Sequence, residues 1–157
     1  MSEQQPDDFA EFINNASHND GWVTSTGLRI LRATRDEVIA ELEIGPRHLQ
    51  AYGIVHGGVH AGIIETIASV GAAIDAMTRG QTVVGLENHT TFLRAVRSGK
   101  LRATAKPLTR GRRTQVWEGT IHDEQGKMAA TGRVRLLAMD PGAEIAGERV
   151  AVKPDLG

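Results

Sequence analysis

Two stretches near the start of the chain have the hydrophobic period of β-strands. Residues 37–44 alternate between apolar side chains and mostly Glu, a period of two that predicts a strand with one buried face and one solvated face. Residues 27–34 predict a partner strand. Arg35 and Asp36, which separate the two stretches, suit a hairpin turn.

Residues 58–78 have a different pattern, because they are apolar on nearly every side of a helix rather than along one stripe. Such a segment predicts a helix that is buried within its own domain. Gly80 follows it and suits a helix C-terminus. His60, Glu65 and Asp75 lie within the same apolar run, and ionisable residues at these positions argue against a membrane span.

Four strand-like segments follow the helix. They cover residues 82–96, 100–108, 114–122 and 127–138. The order of two strands, one buried helix and four strands predicts an α+β domain. An antiparallel sheet of about six strands wrapped around one long central helix is the simplest architecture, because that helix can cover the apolar face of the sheet.

The two ends of the chain carry weaker patterns. Asp7 and Asp8 are candidate caps for a short helix that runs to Asn15. The last residues contain Pro, Gly and charge without a clear period, which predicts a loose tail. We therefore divide the chain into a polar N-terminal segment with a short helix, a main domain and a C-terminal tail, which cover residues 1–25, 26–139 and 140–157.

Composition narrows the function. A formal net charge of −1 argues against a general nucleic-acid binder. The absence of cysteine excludes disulfides, thiol nucleophiles and thiolate metal sites. The polar, acidic start has neither the basic nor the apolar region of a signal peptide, so we expect a cytoplasmic protein that does not act in a membrane.

The stretch with the clearest chemistry is a glycine turn that leads into the apolar helix. Gly57 and Gly58 let the backbone approach a ligand closely, and the unpaired N–H groups of a helix N-terminus can stabilise an oxyanion. The backbone of Glu65 lies roughly 10 Å beyond that of Gly58 along the helix, at about 1.5 Å per residue. One helical face is formed by Gly58, Gly62, Glu65 and Ser69. A thioester carbonyl fits between the amides and the carboxylate.

These residues also have structural interpretations. Glu65 could be a surface glutamate, although an unpaired carboxylate among apolar neighbours is costly. The glycines and His56 could form only a turn, Gln50 could be a loop amide, and His60 fits a pocket wall or core packing. His56 and His60 lie one turn apart, but the H-E-x-x-H pattern is absent, so we expect no metal.

The turn His56-Gly57-Gly58 before an apolar helix with an internal acid resembles the hotdog-fold acyl-CoA thioesterases of the phenylacetate-pathway (PaaI-like) and 4-hydroxybenzoyl-CoA type. The likeness covers roughly residues 27–138. It implies a hotdog fold, with the sheet wrapped around the helix, and active sites at a dimer interface. We expect a homodimer or a tetramer made of two dimers, and no cofactor.

The resemblance also implies roles for single residues. Glu65 matches the glutamate of the 4-hydroxybenzoyl-CoA branch, as nucleophile or general base. Gly57, eight residues earlier, matches the glycine whose amide polarises the thioester carbonyl, and Gln50 matches a loop glutamine fifteen residues before the acid. Ser69 replaces a threonine and keeps a hydroxyl that can position water. His56 helps to orient the thioester.

Coenzyme A carries several phosphate charges, so a basic patch is expected near the mouth of the pocket. The candidates are Arg94, Arg110, Arg112 and Arg113, with Gly58 and His60 as further substrate contacts. A solvated hairpin turn is the alternative for residues 110–113.

The leading prediction is hydrolysis of an acyl-CoA thioester. A hotdog dehydratase or hydratase acting on acyl thioesters is one alternative, but its His-Phe-Pro or Asp-to-His signature is missing. A non-catalytic module that binds or senses acyl-CoA is the other, and the internal acid argues against it. Release of free thiol separates the three, because only the thioesterase liberates coenzyme A.

Overall fold

A computed structural model describes residues 8–16 and 21–151 of the chain. Its helices are α1 (Ala10–Ala16), α2 (Gly21–Thr26) and α3 (Gly57–Met77), with a short 3-10 turn at Pro46–His48. Its strands are β1 (Arg29–Ala33), β2 (Val38–Glu43), β3 (Thr82–Phe92), β4 (Lys100–Arg110), β5 (Thr114–His122), β6 (Met128–Met139), β7 (Glu144–Ile145) and β8 (Glu148–Arg149).

The six long strands form one antiparallel sheet in the order β1-β2-β4-β5-β6-β3, and α3 contacts all six. This confirms the predicted α+β architecture with one central helix. The chain leaves β2, crosses the sheet as α3 and returns as β3 at the opposite edge. Consequently β3 pairs along its length with β6 alone among the described strands.

The core lies between α3 and the inner face of the sheet. Ile64 and Ile67 of α3 and Trp117 of β5 are fully buried. The helix lies so close to the sheet that a Cβ on Gly71 would stand 2.4 Å from the Trp117 ring. A Cβ on Gly119 would meet Ile64 at 3.0 Å. Both glycines are therefore required by close packing rather than by backbone conformation.

A fully buried carboxylate fixes the C-terminal end of α3. Asp75 accepts hydrogen bonds from Arg35 at 2.9 Å and from Arg79 at 3.0 Å. Gln115 donates to the same carboxylate at 3.2 Å, and its own oxygen accepts from Trp117 Nε1 at 2.9 Å. Buried charges need such partners because burial removes their hydration. The network ties the helix to the β1–β2 turn and to β5.

By length and composition α3 is the one described helix that could cross a membrane, a test that the core helix of a globular domain also passes. In this fold its buried residues pack within the chain's own core. The predicted helix C-terminus is also present, because Gly80 follows the helix with a φ of +67°.

The ends of the chain contain more structure than the sequence predicts. Asp8 caps α1 through a 2.9 Å bond from the Ala10 N–H, while Asp7 lies outside the described residues. A second short helix, α2, was not predicted. The tail predicted to be loose contains the β7–β8 hairpin, whose turn residues Ala146 and Gly147 both have positive φ. That conformation matches the twist of paired strands, so a two-residue turn is sufficient there.

Candidate active site

His56 forms the N-cap of α3. Its Nδ1 accepts a hydrogen bond from the Gly58 N–H at 2.8 Å. The N–H of Gly58, a predicted substrate contact, is therefore already paired within this subunit. The Gly57 N–H has no acceptor within residues 8–16 and 21–151, and it is therefore the free donor at this end of the helix.

A cavity of about 520 Å³ opens beside this helix end. Its lining residues are Gln50, Ile54, Val55, His56, Gly57, Gly58, His60, Phe92, Leu93, Arg94 and Ala95. Gln50 accepts a hydrogen bond from the Tyr52 N–H at 2.7 Å through Oε1, which leaves its NH2 group as the end that can meet a ligand. The loop before α3 and the segment after β3 thus form the walls.

Glu65 faces a second cavity, of about 390 Å³, on the flank of α3 next to β3. The side chain is half-buried, and its Oε2 accepts a hydrogen bond from the Asn88 amide at 2.9 Å. Gly62 and Thr90 also line this cavity. Glu65 is therefore neither a solvated surface glutamate nor an unpaired buried charge.

Asn88 was not predicted from the sequence. It lies in β3, where a polar run, residues 87–91, interrupts an otherwise apolar strand. That interruption is the sequence feature that could have indicated Asn88 as a site residue. Which of its members faces α3 depends on the β-bulge that the register shift between Gly85 and Glu87 marks, and hydrophobic periodicity does not reveal that bulge.

Phe92 lines both cavities and separates them. Its ring covers Gly57 so closely that a Cβ there would stand 2.7 Å from the ring. Gly57 and Glu65 therefore face different cavities within one subunit, on either side of this ring. Gly62 has a similar aromatic cover, because a Cβ there would meet the Trp22 ring of α2 at 2.2 Å.

The remaining predicted site residues lie elsewhere. Ser69 is half-buried one turn beyond Glu65 and does not line either of these two cavities. Arg110 pairs with Asp36 at 2.7 Å and lies 3.8 Å from Asp75, at the opposite end of α3. Gly57 and Asp75 are about 27 Å apart along the helix at about 1.5 Å per residue.

Arg112 and Arg113 line a third cavity of about 260 Å³, together with residues of β6 and Gln81. Within one subunit, the arginines of residues 110–113 are thus not brought to the Glu65 site. Of the four arginines predicted to contact coenzyme A, Arg94 alone lines the cavity at the free helix end.

Residues 52–130 match the model of the Thioesterase superfamily, which is half of the chain. The chain belongs to the thioesterase superfamily. It is 43% identical over 116 residues to a Mycobacterium tuberculosis protein named "Putative esterase Rv1847", with 73% of this chain and 83% of that one covered. The thioesterase HI1161 of Haemophilus influenzae has a similar structure: the TM-score is 0.78 at 34% identity, over 83% of this chain and 90% of that one.

The fold is also that of the PaaI protein from the phenylacetic acid degradation operon of Escherichia coli, with a TM-score of 0.74 over 83% of this chain and 93% of that one. At 20% identity this likeness shows the fold alone. Together these findings confirm the hotdog, PaaI-like thioesterase resemblance. They support a hydrolase, and Glu65 and the free Gly57 donor lie within the part of the chain that matches the superfamily.

His60 is a buried wall residue of the larger cavity. It is 3% exposed, and its ring centroid lies 6.2 Å from that of Phe92. Its Nδ1 is buried and has no hydrogen-bond partner among the described residues. Burial lowers the pKa of His60 below its ordinary value, because the charged ring would lose its hydration.

This burial makes the free energy of unfolding depend on pH. The unfolded chain binds a proton at His60 near pH 6.5, whereas the folded protein binds it only at lower pH. The unfolded state then holds more protons, so stability falls as pH drops below about 6.5. When the pH is lowered from about 7.5 to about 5.5, we expect the free energy of unfolding to fall less in His60→Leu than in wild type. Urea unfolding at the two pH values measures this.

His89→Gln serves as the control, because His89 is an exposed histidine on β3. Its unfolding free energy should change with pH as the wild type's does. An unaltered pH dependence in His60→Leu would contradict the burial argument.

Proposed function

We propose that this thioesterase hydrolyses an acyl-CoA thioester to a free acid and coenzyme A. The observation that carries the proposal is a half-buried helix carboxylate, Glu65, facing a cavity that one aromatic ring separates from a free helix-terminal N–H. A carboxylate can attack a thioester carbonyl or remove a proton from water, and an N–H donor stabilises the oxygen that becomes negative.

In the general-base route, Glu65 takes a proton from water as the water oxygen bonds to the carbonyl carbon. The carbonyl oxygen becomes an oxyanion that a Gly57 N–H stabilises. Because Phe92 separates Gly57 from Glu65 within one subunit, this N–H is proposed to come from the second copy in the dimer. The C–S bond then breaks, and the proton moves from Glu65 to the sulfur of departing coenzyme A. In the nucleophilic route, a Glu65 oxygen bonds to the carbonyl carbon, coenzyme A leaves as thiolate, and water hydrolyses the resulting anhydride.

The other proposed roles follow the positions of the side chains. The NH2 group of Gln50 and the exposed ring of His56 lie at the larger cavity and orient the thioester there. Ser69 is proposed to hold water, although its position one turn beyond Glu65 makes this role indirect. No metal takes part in this mechanism, and the described residues contain no cluster of three His, Asp or Glu side chains that could hold one.

Glu65→Gln tests the mechanism. Glutamine keeps the shape and an acceptor oxygen for Asn88, so folding and acyl-CoA binding should persist, while kcat falls by at least about 100-fold. Coenzyme A release by the folded variant is the measurement. Glu87→Gln is the matched control, since Glu87 is an exposed glutamate of β3 paired with Arg135. Near-wild-type turnover by Glu65→Gln would rule out this mechanism, and acyl-CoA binding without release by wild type would favour a binding module.

Arg94 is the proposed contact for the coenzyme A phosphates, because it is exposed and lines the larger cavity. Arg94→Gln should raise KM more than it lowers kcat, since the phosphates lie far from the reacting bond. The effect should shrink at high salt, because salt screens exposed charges. Arg102→Gln, at an exposed arginine of β4, should leave KM unchanged. An equal change in both variants would argue against a specific contact.

A homodimer, which can pair again into a tetramer, is the proposed assembly. β3 is an 11-residue edge strand with mostly exposed side chains, and the Glu65 cavity opens beside it. Such an edge presents unpaired backbone groups that a second copy can bind. Light scattering should give the mass of two or four chains. A monomer with full turnover would contradict the proposal.

A further inference from the structure

The carboxylate of Glu65 is held on two sides by β3, and the two oxygens have different surroundings. Oε2 accepts from Asn88 at 2.9 Å. Oε1 has no hydrogen-bond partner in the part of the chain that the structure describes, and it is not a buried atom. Oε1 also lies against the backbone of Gly85, where an added Cβ would stand 2.5 Å from it.

The orientation of the Asn88 amide is decided by its neighbours. Its nitrogen lies 3.1 Å from the Ala61 carbonyl oxygen and 2.9 Å from Glu65 Oε2. Both can only accept hydrogen bonds, so the NH2 group must face them. The Asn88 oxygen then faces Thr90, whose hydroxyl donates to it at 2.6 Å. A hydroxyl can donate to an amide oxygen or accept from an amide nitrogen. Because the Ala61 carbonyl and Glu65 Oε2 both face the Asn88 nitrogen, the Thr90 hydroxyl donates to the Asn88 oxygen.

We propose that Asn88 and Gly85 of β3 position the Glu65 carboxylate, with Asn88 holding Oε2 and Gly85 leaving room for Oε1, so that Oε1 is the oxygen that acts on water or on the thioester. The inference rests on the proposed function. Neither residue touches the substrate in this scheme. They act through Glu65, and Thr90 fixes Asn88.

The space for Glu65 Oε1 beside β3 exists because residue 85 is glycine. A methyl group on residue 85 would meet the far end of a flexible side chain rather than backbone, so the carboxylate would move while the strand keeps its place. The φ of Gly85 is not in the left-handed region, so alanine adds no backbone strain there. Gly85→Ala therefore displaces the reacting oxygen with little effect on folding.

The test measures kcat, KM and thermal unfolding for Gly85→Ala and Asn88→Asp with a panel of acyl-CoAs. Asp keeps the shape of Asn but removes its NH2 donor and sets a second carboxyl group against Glu65. We expect kcat to fall about tenfold or more in each variant, because misplacing a reacting group by about an ångström is costly. KM and the unfolding temperature of Gly85→Ala should stay near the wild-type values.

Thr90→Val, which keeps shape and removes the hydroxyl, should give a smaller loss of kcat. Thr91→Val is its matched control, because Thr91 is an exposed threonine of the opposite face of β3 and should keep the wild-type rate. Thr90→Ser retains the hydroxyl and should restore most of the activity that valine removes.

A double variant separates positioning from a merely structural role. If Gly85 acts through Glu65, adding Gly85→Ala to Glu65→Gln should not lower the residual rate further, because the group it displaces is already inactive. Additive losses would overturn the inference, as would folded Gly85→Ala and Asn88→Asp proteins that retain the wild-type kcat. In either case an active wild type leaves the proposed function standing, whereas a wild type that releases no coenzyme A overturns both.

Discussion

The packing of α3 against the sheet is the interaction on which the rest of this structure depends. Ile63, Ile64 and Ile67 are each at most 1% exposed, and each contributes on the order of 1.5–3 kcal/mol through burial. Gly71 and Gly119 allow the helix and sheet to approach without a gap. A helix held this closely cannot rotate about its axis, and every other side chain on it therefore has a fixed direction.

The candidate active site follows from that fixed direction. Because the isoleucines face the sheet, Glu65 lies on the flank of α3 toward β3, where Asn88 supplies a donor. The same constraint places the helix N-terminus beside Phe92, with the Gly57 N–H free and the Gly58 N–H bound to His56. The proposed chemistry thus uses the parts of the helix that its packing leaves open. A single aromatic ring, Phe92, stands between the acid and the free donor.

The charges at the other end of α3 serve a different purpose. Asp75 is fully buried and is compensated by Arg35, Arg79 and Gln115, with Arg110 nearby. A buried carboxylate with fewer partners would destabilise the fold. Arg110, which the sequence predicts to bind phosphate, is instead paired with Asp36 and lies near Asp75 at this end of the helix. The cavity near the helix N-terminus has its own cation, Arg94, which the sequence predicts as well.

Hydrophobic periodicity determined the order of the central helix and the six strands of the main sheet, because a strand with period two and an all-apolar helix are local patterns. The sequence likewise indicated Gln50, Gly57 and Glu65 as candidate site residues, Gln50 through the family resemblance. Gly57 and Glu65 lie on one helix, so their separation follows from helical geometry. The tertiary structure alone decided what each of them meets. Asn88 faces Glu65 because β3 returns at the edge beside β6 with a bulge near Gly85, and Arg110 faces Asp75 because β4 ends there. Contacts between distant segments depend on strand order and on local shifts of register such as this bulge, and hydrophobic periodicity reveals neither of them.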